Sequence, residues 1–411
     1  MDVNARTALD TGARRNVNLA LATWVSAINF WAWNMIGPLS TTYAGDLSLS
    51  STEASMLVAT PILVGSLGRI VIGSLTDRFG GRTMFIAVSL ASIVPVLAVG
   101  AAGTAGSYLL LLVCGFFLGI AGTVFAVGIP FANSWFEASR RGFATGVFGM
   151  GMVGTALSAF FTPRFVDWFG YAVTHLIIAA ALVAVAFLVW TAMKDSPQWH
   201  ANTDPVVPKL VAALKLPVTW QMSFLYAVAF GGFVAFSTYL PTYLKDVYEF
   251  DLTQAGTRTA GFAIAAVICR PIGGVLSDKL GPRKIAATAF AGAAVMAVVV
   301  ALQPEPEVPA GLSFVLMAAF LGFGTGGVFA WVAAKAPKER VGSVSGIVGA
   351  AGGLGGFFPP LVMGATYDED DHSYTIGLML LCATAIVALV YTLFGIRKRS
   401  TTDEQPAPRS P

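Results

Sequence analysis

The sequence predicts an all-α polytopic membrane protein of twelve transmembrane helices in two six-helix pseudo-repeats. Three observations carry that prediction. Of 411 residues, 56% are hydrophobic and 11% charged, whereas soluble domains carry about 25% charged residues. The apolar residues gather into unbroken runs such as "HLIIAAALVAVAFLVWTAM" from His175 to Met193, close to the ~20 residues that cross a bilayer as a helix. Finally, one motif returns at a fixed spacing. Arg69, Gly73, Leu75, Asp77, Gly80 and Arg82 reappear 201 residues later as Arg270, Gly274, Leu276, Asp278, Gly281 and Arg283.

Cutting at polar and Gly/Pro-rich breaks places the spans at 17–43, 52–76, 83–103, 106–133, 141–161, 171–193, 220–244, 253–278, 283–303, 311–333, 341–365 and 373–396. The first apolar run is too long for a signal-peptide core and has no small-residue cleavage site, so it reads as a spanning helix. The connection "KDSPQWHANTDPVVPKLVAALKLP" divides the spans six and six. The expected organisation is a cytoplasmic N-terminus 1–16, an N-terminal bundle 17–193, a cytoplasmic linker 194–219, a C-terminal bundle 220–396 and a cytoplasmic tail 397–411.

Basic residues orient the spans. Of the 25 Lys and Arg, 20 fall on the side of the N-terminus and three (Arg164, Lys245, Arg258) on the other. Both termini are therefore expected inside the cell, and the formal net charge of +3 is a topology signal, not a sign of nucleic-acid binding. The two basic residues left over are Arg69 and Arg270, inside the second and eighth spans. Arg69 lies eight residues from Asp77, about 12 Å along a helix, and so near the midplane of a ~30 Å hydrocarbon core. An arginine there costs at least about 2.5–3.5 kcal/mol. Either it is structural, paired with a buried carboxylate or backbone carbonyls, or it binds an anion. No Asp or Glu stands in the middle of any span to act as a partner. Two guanidiniums facing each other at an assumed ~8 Å repel by about 2 kcal/mol at an effective dielectric of 20. A bound anion removes that cost, and two planar forks suit a small planar oxyanion. Gly65, Gly73, Ala266 and Gly274 flank the arginines four residues away and allow close approach of a helix or a ligand.

No enzyme chemistry is legible. Cys114, Cys269 and Cys382 lie in apolar runs, His175, His200 and His372 are scattered, and "GFGTGG" at 322–327 is interior to a membrane run. No catalytic residues, metal or cofactor are expected.

"GSLTDRFGGR" and its echo "GVLSDKLGPRK" resemble the loop motifs of the major facilitator superfamily, along residues 17 to about 396. The resemblance implies the major facilitator fold, with Asp77, Arg78, Arg82, Asp278 and Arg283 latching the halves together on the cytoplasmic side. Arg140 and Arg340, a second repeated pair, join that gating set. Within the superfamily, "PILVGSLGRIVIGSLTDRFGGR" and the glycine-dense "GFATGVFGMGMVGTALSAF" and "GSVSGIVGAAGGLGGFFPP" resemble the nitrate/nitrite porter family. That resemblance implies a substrate clamp of Arg69 and Arg270, with Phe125, Tyr226 and Phe230 enclosing a flat anion and Gly149 and Gly353 beside it. Gly146, Gly151, Gly154, Gly346, Gly349 and Gly352 fall on faces that slide, although ordinary small-residue packing also accounts for such glycines. Simple packing likewise accounts for any single aromatic. The sequence departs from the family at Met152, where many members carry a substrate-bonding Asn; Asn29 and Asn34 are candidate replacements.

The expected partners are nitrate or nitrite and the lipid bilayer, in a monomer of the inner (plasma) membrane. With no mid-depth carboxylate, nitrate/nitrite exchange by alternating access is favoured. Proton-coupled nitrate uptake, a carrier of formate, oxalate, cyanate or a monocarboxylate, and an anion channel or membrane sensor are the alternatives.

Overall fold

The computed structural model describes residues 3–137, 140–201, 206–337 and 340–396, with backbone only at 3–13, 141, 142, 206 and 342. The expected tail, 397–411, and residues 202–205 of the expected linker lie outside these. Apolar runs become helices because hydrocarbon offers backbone N–H and C=O groups no partner, and a helix pairs them internally. Among the described residues, ten helices are long and apolar enough to cross a membrane. One of them, Phe143–Ala192, has 50 residues and breaks at Gly170, where φ is 76°, a left-handed value that glycine takes at no steric cost. Counting it as two, and adding the first span, gives twelve.

The spans are α1 (Val3–Trp33 continued by Ile36–Asp46), α2 (Ser51–Phe79), α3 (Gly81–Thr104), α4 (Tyr108–Trp135), α5 (141–169) and α6 (171–192). After a linker helix, Val206–Leu214, come α7 (Pro217–Tyr248), α8 (Leu252–Leu280), α9 (Pro282–Ala301) and α10 (Val308–Lys335). The last two are α11 (Val341–Gly355 continued by Phe358–Ala365) and α12 (Thr375–Gly395). The fifth span was expected to end at 161, yet α5 runs eight residues further. Its polar end is used by neighbours: Arg164 Nη2 donates to Thr257 Oγ1 at 2.8 Å, and Asp167 Oδ2 accepts from Thr253 at 3.0 Å.

The repeat extends to the helix ends. Ser50 caps α2 in a reciprocal capping box with Glu53. At the same offset of 201, Asp251 caps α8 by accepting from the Gln254 N–H. Each cap is worth about 1 kcal/mol. Both helices have 29 residues and end at a positive-φ glycine, Gly80 (86°) and Gly281 (92°). This shared register puts Arg69 and Arg270 at equal depth. Small residues bring the helices close: a side chain at Gly154 would overlap the Ala27 carbonyl, and one at Gly326 that of Arg270.

On the side away from the termini the first six helices are tied to the last six. Ser40 and Thr242 share a 2.7 Å hydrogen bond, and Ser55 donates to Tyr239 Oη at 3.1 Å. On the other side, a Cβ at Gly346 or Gly349 of α11 would meet nothing within 4 Å.

Candidate functional site

Both arginines reach one aromatic pair. The Arg69 guanidinium lies 5.0 Å from the Phe125 ring centroid and 5.5 Å from that of Phe230. For Arg270 the corresponding distances are 5.4 and 5.5 Å. Phe125 belongs to α4, just after a 3-10 stretch at Gly119–Thr123. Phe230 and Tyr226 stand one turn apart on α7, their rings stacked at 5.0 Å and 8°. The Phe125 and Phe230 rings stack across the two halves at 6.0 Å and 27°. Each cation over a ring face gains about 0.5–2 kcal/mol, which offsets part of the cost of burying it.

The arginines differ in their other partners. Arg69 is buried, and its Nη1 donates to the Gly349 carbonyl of α11 at 2.9 Å. Its Nε and Nη2 are buried with no hydrogen-bond partner. One donor is thus structural, while an edge of two stays unmatched. Such an edge is the fork that receives two oxygens of a planar anion. Arg270 is half-buried and spends both terminal nitrogens on side chains: Nη1 on Met152 Sδ at 3.3 Å and Nη2 on Tyr226 Oη at 3.0 Å. Met152 is brought in by a 3-10 turn at Met150–Met152.

The glycines divide by role. A Cβ at Gly353 would collide with Ser66 Oγ and stand 3.3 Å from Arg69 Nη1, whereas one at Gly149 would rest 3.7 Å from Arg270. A Cβ at Gly352 would collide with the Tyr226 ring, and Gly151 packs against the Thr23 carbonyl of α1. Gly146 faces Pro271 of α8 at an ordinary 3.8 Å. Of the residues flanking the arginines, Gly65 faces the Trp33 indole, and the Ala266 carbonyl lies where a Gly322 side chain would go. At both positions it is a neighbouring helix that approaches.

Asn29 has no amide donor left for an anion. The Asn29 Nδ2 donates to the Val25 carbonyl and Ser89 Oγ, both at 2.9 Å, and that of Asn34 to the Thr155 carbonyl at 3.4 Å. Asn29 thus spends both amide donors within the first six helices, and Asn34 one of its two.

The charged loop residues mostly act within their own half. The Arg82 guanidinium donates to the Trp190 carbonyl, and its backbone N–H donates to Asp195 at 2.9 Å. Arg283, its repeat partner, donates to the Thr392 carbonyl at 3.0 Å and to the Leu393 carbonyl. Arg78 lies 5.5 Å from the Phe79 ring and Arg140 5.7 Å from that of Phe143. Arg340 donates to the Ala212 carbonyl of the linker helix at 3.4 Å. Asp77 and Asp278 are exposed.

Sequence reasoning missed Phe329, which meets Tyr226 edge-on at 4.8 Å and 64°. A signal existed: "GGVFA" at 326–330 echoes "GTVFA" at 122–126, so Phe329 is the repeat counterpart of Phe125. The Gly349 carbonyl and the Met152 sulfur were missed as arginine acceptors.

A pair of facing arginines in two six-helix repeats defines a carrier class. The family model described as Major Facilitator Superfamily matches residues 22–360 and again 248–410. The chain is therefore a multi-pass membrane transporter of that superfamily, and not an enzyme. A Mycobacterium tuberculosis protein named probable nitrate/nitrite transporter NarK2 is 66% identical over 381 residues, covering 93% of this chain and 96% of its own. The nitrite extrusion protein of Bacillus subtilis is 33% identical, covering 93% and 94%. The probable nitrate/nitrite antiporter NarK1 of Thermus thermophilus is 33% identical, covering 84% and 83%. The chain belongs to the nitrate/nitrite porter family. A solved bacterial homolog of the human lysosomal transporter Spinster, inward-facing and occupied, shares the fold, with TM-score 0.69 and 17% identity over 92% of this chain and 95% of that one.

Proposed function

We propose that the chain exchanges nitrate and nitrite across the inner (plasma) membrane by alternating access, as a monomer with both termini in the cytoplasm. The observation that carries the reading is the convergence of both guanidiniums on the Phe125–Phe230 pair, with two buried Arg69 donors unmatched. The names of the relatives supply the anion. Nitrate carries three coplanar oxygens. Two engage the Nε–Nη2 edge of Arg69, and the third draws Arg270 from Met152 while Tyr226, whose oxygen accepts from Arg270, directs its own O–H at the anion. The bound charge removes the repulsion between the arginines, so the loaded carrier changes state more easily than the unloaded one. The hydroxyl ties at Ser40–Thr242 and Ser55–Tyr239 part as one mouth opens. Asp77, Arg78, Arg82, Asp278, Arg283, Arg140 and Arg340 latch the other as it closes, with Gly146, Gly346 and Gly349 on the faces that slide.

The test is uptake of labelled nitrate into proteoliposomes preloaded with nitrite. Exchange requires uptake that depends on internal nitrite and ignores an imposed pH gradient. Strong pH-driven uptake into nitrite-free vesicles replaces exchange by proton coupling. Uptake absent for nitrate but present for formate or another carboxylate replaces the anion.

A further inference from the structure

The linker helix Val206–Leu214 is apolar on more than one face. Ala213 is fully buried, while Val207, Val211 and Leu214 are exposed by 69%, 43% and 38%. Positions 207, 211 and 214 are spaced i, i+4 and i+7, so these three side chains form one stripe. An amphipathic helix beside a membrane lays such a stripe into the interface. Its end is fixed at the membrane belt: the Trp220 indole N–H, in the first turn of α7, donates to the Leu214 carbonyl at 2.8 Å. The Trp220 ring is 61% exposed, and tryptophan at the end of a spanning helix marks the bilayer interface. Lys209 and Lys215 are exposed, with Lys209 beside the Asp77 carboxylate of α2.

We propose that the Val207–Val211–Leu214 stripe is a membrane-docking surface whose partner is the anionic headgroup layer of the leaflet on the side of the termini. The three side chains enter the boundary between headgroups and acyl chains, and Lys215, at the edge of the stripe, meets lipid phosphate. The stripe continues the lipid-facing belt that Trp220 marks, and its basic flank matches an anionic surface. Docking also reaches the transport site. Arg340, at the N-cap of α11, donates to the Ala212 carbonyl of the linker helix, and α11 carries the Gly349 carbonyl that holds Arg69. Lipid that grips the linker helix therefore restrains α11.

The test uses the full chain with Cys114, Cys269 and Cys382 changed to Ala and a nitroxide on Val211→Cys. It is reconstituted in nanodiscs of phosphatidylcholine alone or mixed with phosphatidylglycerol. Collisions with oxygen, which partitions into lipid, are compared with those of a water-soluble nickel chelate. The expected result is an oxygen excess in both membranes that grows with phosphatidylglycerol. Lys215→Gln should remove most of that growth, since one lysine at an anionic surface is worth roughly fivefold in partitioning. A label that meets nickel as freely as in water overturns the proposal. So does a label shielded from both agents, because protein then covers the stripe. Val207→Cys gives the same reading should the first variant fail to fold. The readout needs no substrate, so it stands apart from the identity of the anion.

Discussion

Arg69 and Arg270 occupy the same register of two repeated helices, yet they are held in different ways. Arg69 is fixed by a backbone carbonyl from the opposite half and keeps two buried donors unmatched. Arg270 is held by two rotatable side chains, Met152 and Tyr226, which can let it go. Duplication copied the depth of the charge but left its partners to helices outside the motif. On the proposed reading the pair would work as a fixed anchor and an adaptable arm.

The largest test of that contrast is lysine at each arginine. Arg69→Lys loses the unmatched fork, about 3 kcal/mol of charged hydrogen bonding, and should lower nitrate counterflow roughly 100-fold. Arg270→Lys should cost roughly tenfold less, because its forked edge is shared with protein acceptors. Equal losses in matched proteoliposomes would make the two walls equivalent.

Alanine at the neighbouring glycines asks the same question through space. Gly353→Ala forces Ser66 and the Arg69 tip apart and should reduce counterflow about tenfold, since inserted bulk in a packed site costs about 1–3 kcal/mol. Gly149→Ala meets Arg270 at ordinary contact distance, 3.7 Å, and should change the rate by less than about twofold. Reversal of that order would place the rigid wall on the other side.

Effects smaller than those of the lysine exchanges belong to the arm's own acceptors. Tyr226→Phe removes one of them and should raise the nitrate KM about fivefold, near 1 kcal/mol. Met152→Leu removes a weak sulfur acceptor and should shift KM about twofold, with kcat unchanged. A larger effect of Met152→Leu than of Tyr226→Phe would make the sulfur the main support of Arg270.

Much of this was legible in the sequence. A charge inside an apolar run is costly enough to announce itself, so Arg69 and Arg270 could be placed before any fold was known. The repeat offset joined Asp77 to Asp278 and Gly80 to Gly281, and therefore fixed both depth and direction. The aromatic pair came from family resemblance, because one Phe among 29 carries no signal of its own. The Gly349 carbonyl was hidden for a different reason: every residue has one, and only packing selects which is aimed at a guanidinium. Asn29 was overvalued because helical position alone does not show that its amide has spent both donors, on the Val25 carbonyl and Ser89. The length of α5 was misread because Arg164 and Asp167 resembled a loop, when their partners on α8 let them end a helix.

The stacked rings have a mechanical consequence. Phe125 and Phe230 stand 6.0 Å apart, one on each half of the protein. A flat ion lodged between them needs an atomic contact on each face, about 7 Å in all at 3.5 Å per contact. An ion entering there would have to push the rings apart, and with them the helices that carry them. On the proposed reading a bound ion would act as a wedge at the fulcrum of a lever, and the separation it forces would reach the far ends of α4 and α7 as a change in angle.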